Sequence, residues 1–166
     1  RSMALPNKIL PGFSAALYAQ PTASPTPLTT AALSTVATVS ALAIPANLLP
    51  VEAIPAFGQD DAVASFSVAG SRQSDKIPTQ SAPTSMTITA AWNPSDAMLL
   101  IIRGDAYSGT VDRTYIISAT DGTNTVYYAF NGRVSEFKID AAPGAESKCT
   151  FTVHPRGNQY GWSNTI

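Results

Sequence analysis

Cysteine and histidine each occur once in the 166 residues, as Cys149 and His154. A single cysteine excludes an intrachain disulfide, and within Cys149-Thr-Phe151-Thr-Val153 it reads as a small core residue suited to a reducing compartment. His154 has no second histidine, cysteine or acid at metal-ligand spacing. Lying before Pro155 at the end of an apparent strand, it is expected to be structural. The Gly-x-x-x-x-Gly-Lys, Gly-x-Ser-x-Gly and His-Glu-x-x-His patterns are all missing. Asp60-Asp61 is a carboxylate pair by sequence, but adjacent strand residues point to opposite faces and would not share a substrate. No catalytic residue, metal or cofactor is therefore expected, and the chain reads as a non-enzyme.

Charge is also scarce. Charged residues make up 13% of the chain and its net charge is -1, against a usual charged share of about 25%. That balance argues against an electrostatic grip on nucleic acid, which needs clustered Lys and Arg. Low charge with abundant Ser, Thr, Ala and Pro suits a subunit that buries much of its outside against neighbours. Extracellular β-domains share this composition. A membrane span is not expected, because uncharged Leu28 to Ile44 holds six Ser or Thr residues between Pro27 and Pro45. Pro11 and Gly12 likewise interrupt the apolar run after Lys8 and argue against a signal peptide. Arg1 and Ser2 before Met3 read as a cloning scar, leaving residues 3–166 as one domain.

Several local patterns are legible. Residues 12–19 read as a short strand before a Pro- and Thr-rich loop, and Val36–Ile44 fits strand or helix equally. Val63, Phe66 and Val68 mark a strand from Asp60 that stops at Gly70. Ser71–Pro83 reads as a polar connection long enough to be a functional arm. Met86, Ile88, Ala90 and Trp92 then alternate as one buried strand face. Asp96 to Ile102 reads as a short helix, around 95–103, capped by Ser95 and closed by Gly104. Tyr115–Ile117 leads through Asp121-Gly122 into a return strand, Val126–Phe130, since Asp-Gly between β-rich runs signals a hairpin. Past Asn131-Gly132 a further strand carries Val134, Phe137 and Ile139, and a last one runs from Lys148 to Val153. The second half is thus an antiparallel meander with one inserted helix.

From about residue 51 to 157 this order of elements resembles the tail tube proteins of long-tailed bacteriophages, the lambda-like major tail proteins. The resemblance is carried by Ser85-Met-Thr87-Ile-Thr-Ala-Ala-Trp92-Asn-Pro94, the apolar helix from Asp96, Tyr115-Ile-Ile, the Asp121-Gly122 turn, Tyr127 to Val134 and Thr150 to Gly157. It implies a mainly β (α+β) fold, an antiparallel β-sandwich or partly rolled barrel flanked by one helix. It also implies hexameric rings stacked into a tube around a tape measure protein, with a tail terminator and tail-initiation complex as further partners. DNA would pass through without specific binding, and the protein would be a virion component made in the host cytoplasm.

In such a tube Arg72, Asp75, Lys76 and Ile77 would be the inter-subunit contacts of the arm. A lumen that lets DNA slide should repel phosphate, which makes Asp60, Asp61, Glu136 and Asp140 the lumen-facing candidates. The alternative is an extracellular carbohydrate-binding or adhesin β-sandwich, with Trp92, Trp162, Tyr107, Tyr127 and Tyr128 as a sugar platform. Trp92, continuing the Met86–Ile88 face, is expected in the core instead.

Overall fold

The structure, a computed structural model, describes residues 14–67, 69–70, 73–141 and 143–165; Asp75, Asn158 and Thr165 are described in backbone only. Arg1, Ser2, Lys8, Pro11, Gly12, Val68, Ser71 and Arg72, named in the sequence analysis, lie outside the described residues. In chain order the elements are β1 (Ser14–Ala19), α1 (Thr30–Leu33), α2 (Val36–Leu42), β2 (Val51–Ala53), β3 (Gln59–Ser67) and β4 (Ser74–Pro83). They continue with β5 (Met86–Ala91), α3 (Ala97–Ser108), β6 (Arg113–Thr120), β7 (Thr125–Asp140) and β8 (Lys148–Thr165).

Six strands form one antiparallel sheet in the order β1-β6-β7-β8-β5-β2. Its two edges meet again where Leu49 N donates to Leu17 O at 2.9 Å and Tyr18 bridges Leu48. The sheet is thereby rolled into a nearly closed barrel, the mainly β fold expected from the resemblance. Inward residues such as Leu17, Ile88, Tyr115, Phe130, Phe151 and Val153 fill its interior together with Cys149. Burying apolar side chains of this size stabilises the fold by about 1.5–3 kcal/mol each.

The outer face of β6 and β7 is also covered. Leu33 of α1 and Val39 of α2 pack on Ile116 and Ala129, so the ambiguous stretch Val36–Ile44 resolves as helix. Covering both faces explains why β6 is apolar at successive positions instead of alternating. The uncharged segment between β1 and β2 is thus the barrel's outer coat.

Three expectations are corrected. The expected polar connection is a strand from Ser74 to Pro83: β4 pairs with β3 from Gln59–Pro83 to Ser67–Ser74, making a two-stranded sheet apart from the barrel. Backbone pairing defines this hairpin, and because both its faces are solvated its sequence shows no apolar alternation. Pro78 is accommodated beside a register shift between Ala62 and Val63.

The helix is longer and capped differently. Asp96, not Ser95, is the N-cap, its carboxylate accepting from Met98 N at 2.9 Å and Leu99 N at 3.3 Å. The helix passes Gly104 and ends at Gly109, whose φ of 66° closes it. An interior glycine costs about 1 kcal/mol against alanine, and the turn beyond it is held by a stronger contact. Buried Asp105 accepts from Arg113 Nε at 2.5 Å and Nη2 at 2.9 Å, while Arg113 Nη1 donates to Gln20 O and Thr22 O, each at 2.5 Å. Arg113, 0% exposed, ties α3, β6 and the chain leaving β1 together.

Finally, the breaks at Asn131-Gly132 and His154-Pro155 are absent. β7 and β8 run on as strands of 16 and 18 residues, paired through register shifts at Phe130/Gly132 and Ser135/Lys138. Bulges absorb the irregular residues without ending the pairing.

Candidate assembly surface

The β3–β4 hairpin leaves the barrel at Gly58, whose φ of 135° is a conformation open to glycine and strained for other residues. Its root is fixed on aromatic rings. Phe57 stacks on Tyr128 and Trp162 with centroids 5.5 and 5.9 Å away, and Tyr128 lies 4.6 Å from Trp162. Tyr128 Oη donates to Gly58 O at 3.4 Å, Thr84 N to Gly58 O at 3.1 Å, and Tyr160 Oη to Gln59 Oε1. Above the root every residue of β3 is exposed. Val63, Phe66 and Ile77 are 56%, 61% and 55% exposed, unusual for large apolar side chains gathered on one element. Register places Ala64, Phe66 and Ile77 on one face and Val63 with Pro78 on the other.

Of the expected arm residues, Lys76 and Ile77 are exposed on β4, and Asp75 stands opposite Phe66 in the register. The four acidic candidates divide between two elements. Asp60 and Asp61 lie at the base of β3, where Asp60 Oδ2 accepts from Thr84 Oγ1 at 3.1 Å and Asp61 Oδ1 accepts from Ser81 Oγ. Glu136 and Asp140 lie on the far half of β7, Glu136 with φ 57° within the register shift and Asp140 opposite Lys148. Lys148 forms an ion pair with Glu52 at 2.6 Å, and that hydrogen bond raises its pKa, with Glu146 and Asp140 adding smaller electrostatic contributions.

His154 is exposed on β8, with Ser85 Oγ 3.0 Å from Nδ1 and Ser135 Oγ 2.8 Å from Nε2. Among the described residues no three of His, Cys, Asp or Glu are grouped to hold a metal ion. Of the five aromatic candidates Tyr128 and Trp162 meet at the hairpin root, while Tyr127 packs on the outer cluster with Ile116 and Ala129. Trp92 packs edge-on to Phe137 against the core, Trp162 belongs to the hairpin root, and Tyr107 stands alone on α3.

One feature escapes the sequence reading. α3 buries Met98, Leu99 and Ile102, yet apolar side chains on its opposite side and on the adjoining β7 remain exposed. Leu100 and Ile139 are exposed, and Tyr107 is 96% exposed. Arg103, Gly104, Tyr107, Phe137 and Ile139 line an open groove of about 480 Å³. The available signal was Met98–Ile102, five consecutive apolar residues and more than one helix face can bury.

No family model and no curated protein matches the sequence. Solved structures do. One is a chain of an extracellular contractile injection system, described as the PVC sheath/tube terminator in the extended state, with TM-score 0.60, 11% identity and 97% of both chains covered. Another is a chain of the anti-feeding prophage baseplate, 6-fold symmetrised, with TM-score 0.58, 12% identity, and 96% of this chain and 97% of that one covered. A third is the SPP1 tail tube, with TM-score 0.52, 11% identity, and 93% of this chain and 77% of that one covered. The chain has the fold of tail tube proteins.

Proposed function

We propose that this chain is a structural subunit of a phage-like tail tube, assembling into rings, six subunits to a ring, that stack into a hollow conduit. The observation that carries the reading is the hairpin: a rolled barrel of tail tube fold projects two strands whose apolar side chains and outer edges have no cover among the described residues. Unpaired edges of this kind invite association, and a closed ring removes the hazard by pairing each subunit with the next. Stacking is a head-to-tail contact that continues until another protein ends it. Six subunits agree with the 6-fold symmetrisation of the baseplate neighbour.

In this reading the hairpin, with Arg72, Asp75, Lys76 and Ile77, is the arm that meets a neighbouring subunit or ring. Asp60, Asp61, Glu136 and Asp140 would face the lumen and discourage adhesion of passing DNA. The partners are further copies of the chain, a tape measure protein inside the tube, a tail-initiation complex and a terminator. Its place is the virion tail after synthesis in the host cytoplasm, and its work is geometric, without catalysis. Among the described residues no helix is long and apolar enough to cross a membrane.

Negative-stain electron microscopy of the purified protein at rising concentration, with sedimentation on the same samples, tests this. Rings or hollow tubes are expected. A protein that stays monomeric at every concentration and fails to extend a tail-initiation complex overturns the reading.

A further inference from the structure

The outer side of α3 exposes Leu100 and Tyr107, and none of the described residues covers them. Leu100, Arg103, Gly104 and Tyr107 follow one another at helical i, i+3, i+4 and i+7 spacing, and all four are exposed. Gly104 sits at the middle of this stripe. A Cβ there would meet nothing within 4 Å, and its φ is not in the left-handed region. Neither backbone conformation nor packing among the described residues calls for glycine at this position. A glycine inside a helix does serve where another chain must come close. Phe137 and Ile139 of β7 form the opposite wall of the groove.

The same chain carries a convex counterpart. Ala64, Phe66 and Ile77 form one face of the projecting hairpin, and a two-stranded hairpin without cover is marginal in water. Nine-residue β3 spans roughly 30 Å, enough to carry this face well beyond its own barrel. Within one molecule the two surfaces do not cover each other, because Phe66 and Tyr107 are both exposed. A protrusion matched to a groove elsewhere on the same molecule produces a heterologous contact, which propagates instead of closing on itself.

Resting on the tube-subunit reading, we infer that the groove between α3 and β7 is the socket for the β3–β4 hairpin of another copy, with Phe66 and Ile77 entering beside Gly104 and stacking against Tyr107. The socket specifies which surface the arm engages.

The test is a double variant, Phe66→Cys with Gly104→Cys, in the full chain, treated with a short bismaleimide after assembly and run on a denaturing gel. Both positions are open, and native Cys149 is buried, its thiol pKa raised by desolvation, so it stays unreactive. A regular series of covalent oligomers, absent from either single variant and from a Phe66→Cys/Thr123→Cys control, is expected. Rings or tubes that form without the series overturn the socket and leave the tube reading standing. A series of equal yield in the control overturns the socket as well. Failure of the native chain, run alongside, to assemble overturns both. As a second measurement, Ile77→Ser should raise the concentration needed for assembly at least tenfold while leaving the monomer's Tm unchanged; an unaltered assembly concentration also overturns the socket.

Discussion

At the residue scale the barrel holds two polar arrangements of opposite quality. Tyr115 is fully buried, and its hydroxyl has no hydrogen-bond partner among the described residues. Burial pushes its pKa far above the ordinary value, so it stays a neutral, unpaired donor at every relevant pH. Removing an unsatisfied buried hydroxyl removes its desolvation cost, so Tyr115→Phe is expected to stabilise the chain by about 1 kcal/mol, read as a higher Tm. Arg113 and Asp105 are the contrary case, a buried pair whose remaining donors are taken up by two carbonyls. Asp105→Ala leaves a buried guanidinium without its counter-charge and should cost about 3–5 kcal/mol in chemical denaturation. If the loss were below about 1 kcal/mol, the range of exposed pairs, the pair would not be what holds α3 to β6.

Asp112 titrates in the open. Its hydrogen bond from Arg133 is the largest influence and lowers its pKa, with the charges of Arg156 and Arg133 adding to this against partial desolvation. A carboxylate whose folded pKa is depressed contributes stability above its unfolded pKa, near 3.9, and loses it as pH falls through the folded value. Thermal melts of the native chain should therefore fall more steeply below about pH 4 than those of Asp112→Asn, with the two curves parallel at neutral pH. The gap itself should be small, because both arginines are about half exposed.

At the scale of elements, Gly104 separates folding from assembly. With nothing near its missing Cβ, Gly104→Ala should stabilise the isolated chain by about 0.5–1 kcal/mol through helix propensity alone. Circular-dichroism melts at a concentration below assembly would show it, and a loss of stability would mean that the helix packs more tightly there than the open groove allows.

Elements whose pattern follows from local burial were the ones legible in the sequence. Met86–Ala91 alternates because one face meets the core, and Asp121-Gly122 turns β6 into β7 through Asp121 Oδ1 accepting from Thr123 N and Asn124 N. What stayed hidden depended on distant partners. β4 is a strand only because β3 lies beside it, and the last turn of α3 persists past Gly104 where Arg113 receives Asp105. Likewise α2 is chosen over a strand by the outer face of β6 and β7, which it covers. The candidate assembly surface was half legible. A long arm between Gly70 and Pro83 could be read as an arm, but the groove on α3 could not, because five apolar residues in a row give no hint of which ones the core will leave uncovered.

At the scale of the whole molecule, the low charge content bears on the force that would hold copies of the proposed tube together. A chain with 13% charged residues and a net charge of -1 offers few ion pairs across any contact. The large apolar side chains left uncovered on the hairpin, on α3 and on the adjoining β7 are Val63, Phe66, Ile77, Leu100, Tyr107 and Ile139. Screening and apolar burial respond oppositely to salt. At about 1 M ionic strength the Debye length is about 3 Å, which suppresses contacts between exposed charges. Sulfate, in contrast, is excluded from protein surface and strengthens burial. Raising sodium chloride from about 0.1 to 1 M should therefore leave the sedimenting fraction nearly constant, and equal ionic strengths of sodium sulfate should increase it. Dissociation by sodium chloride would instead place the binding energy in the few charged groups, with Lys76 of the hairpin and Arg103 of the groove the first to examine. The same titration on Phe66→Ser locates the effect: if burial of the hairpin face is the driving contact, sulfate has less to act on and its enhancement should shrink together with the assembled fraction.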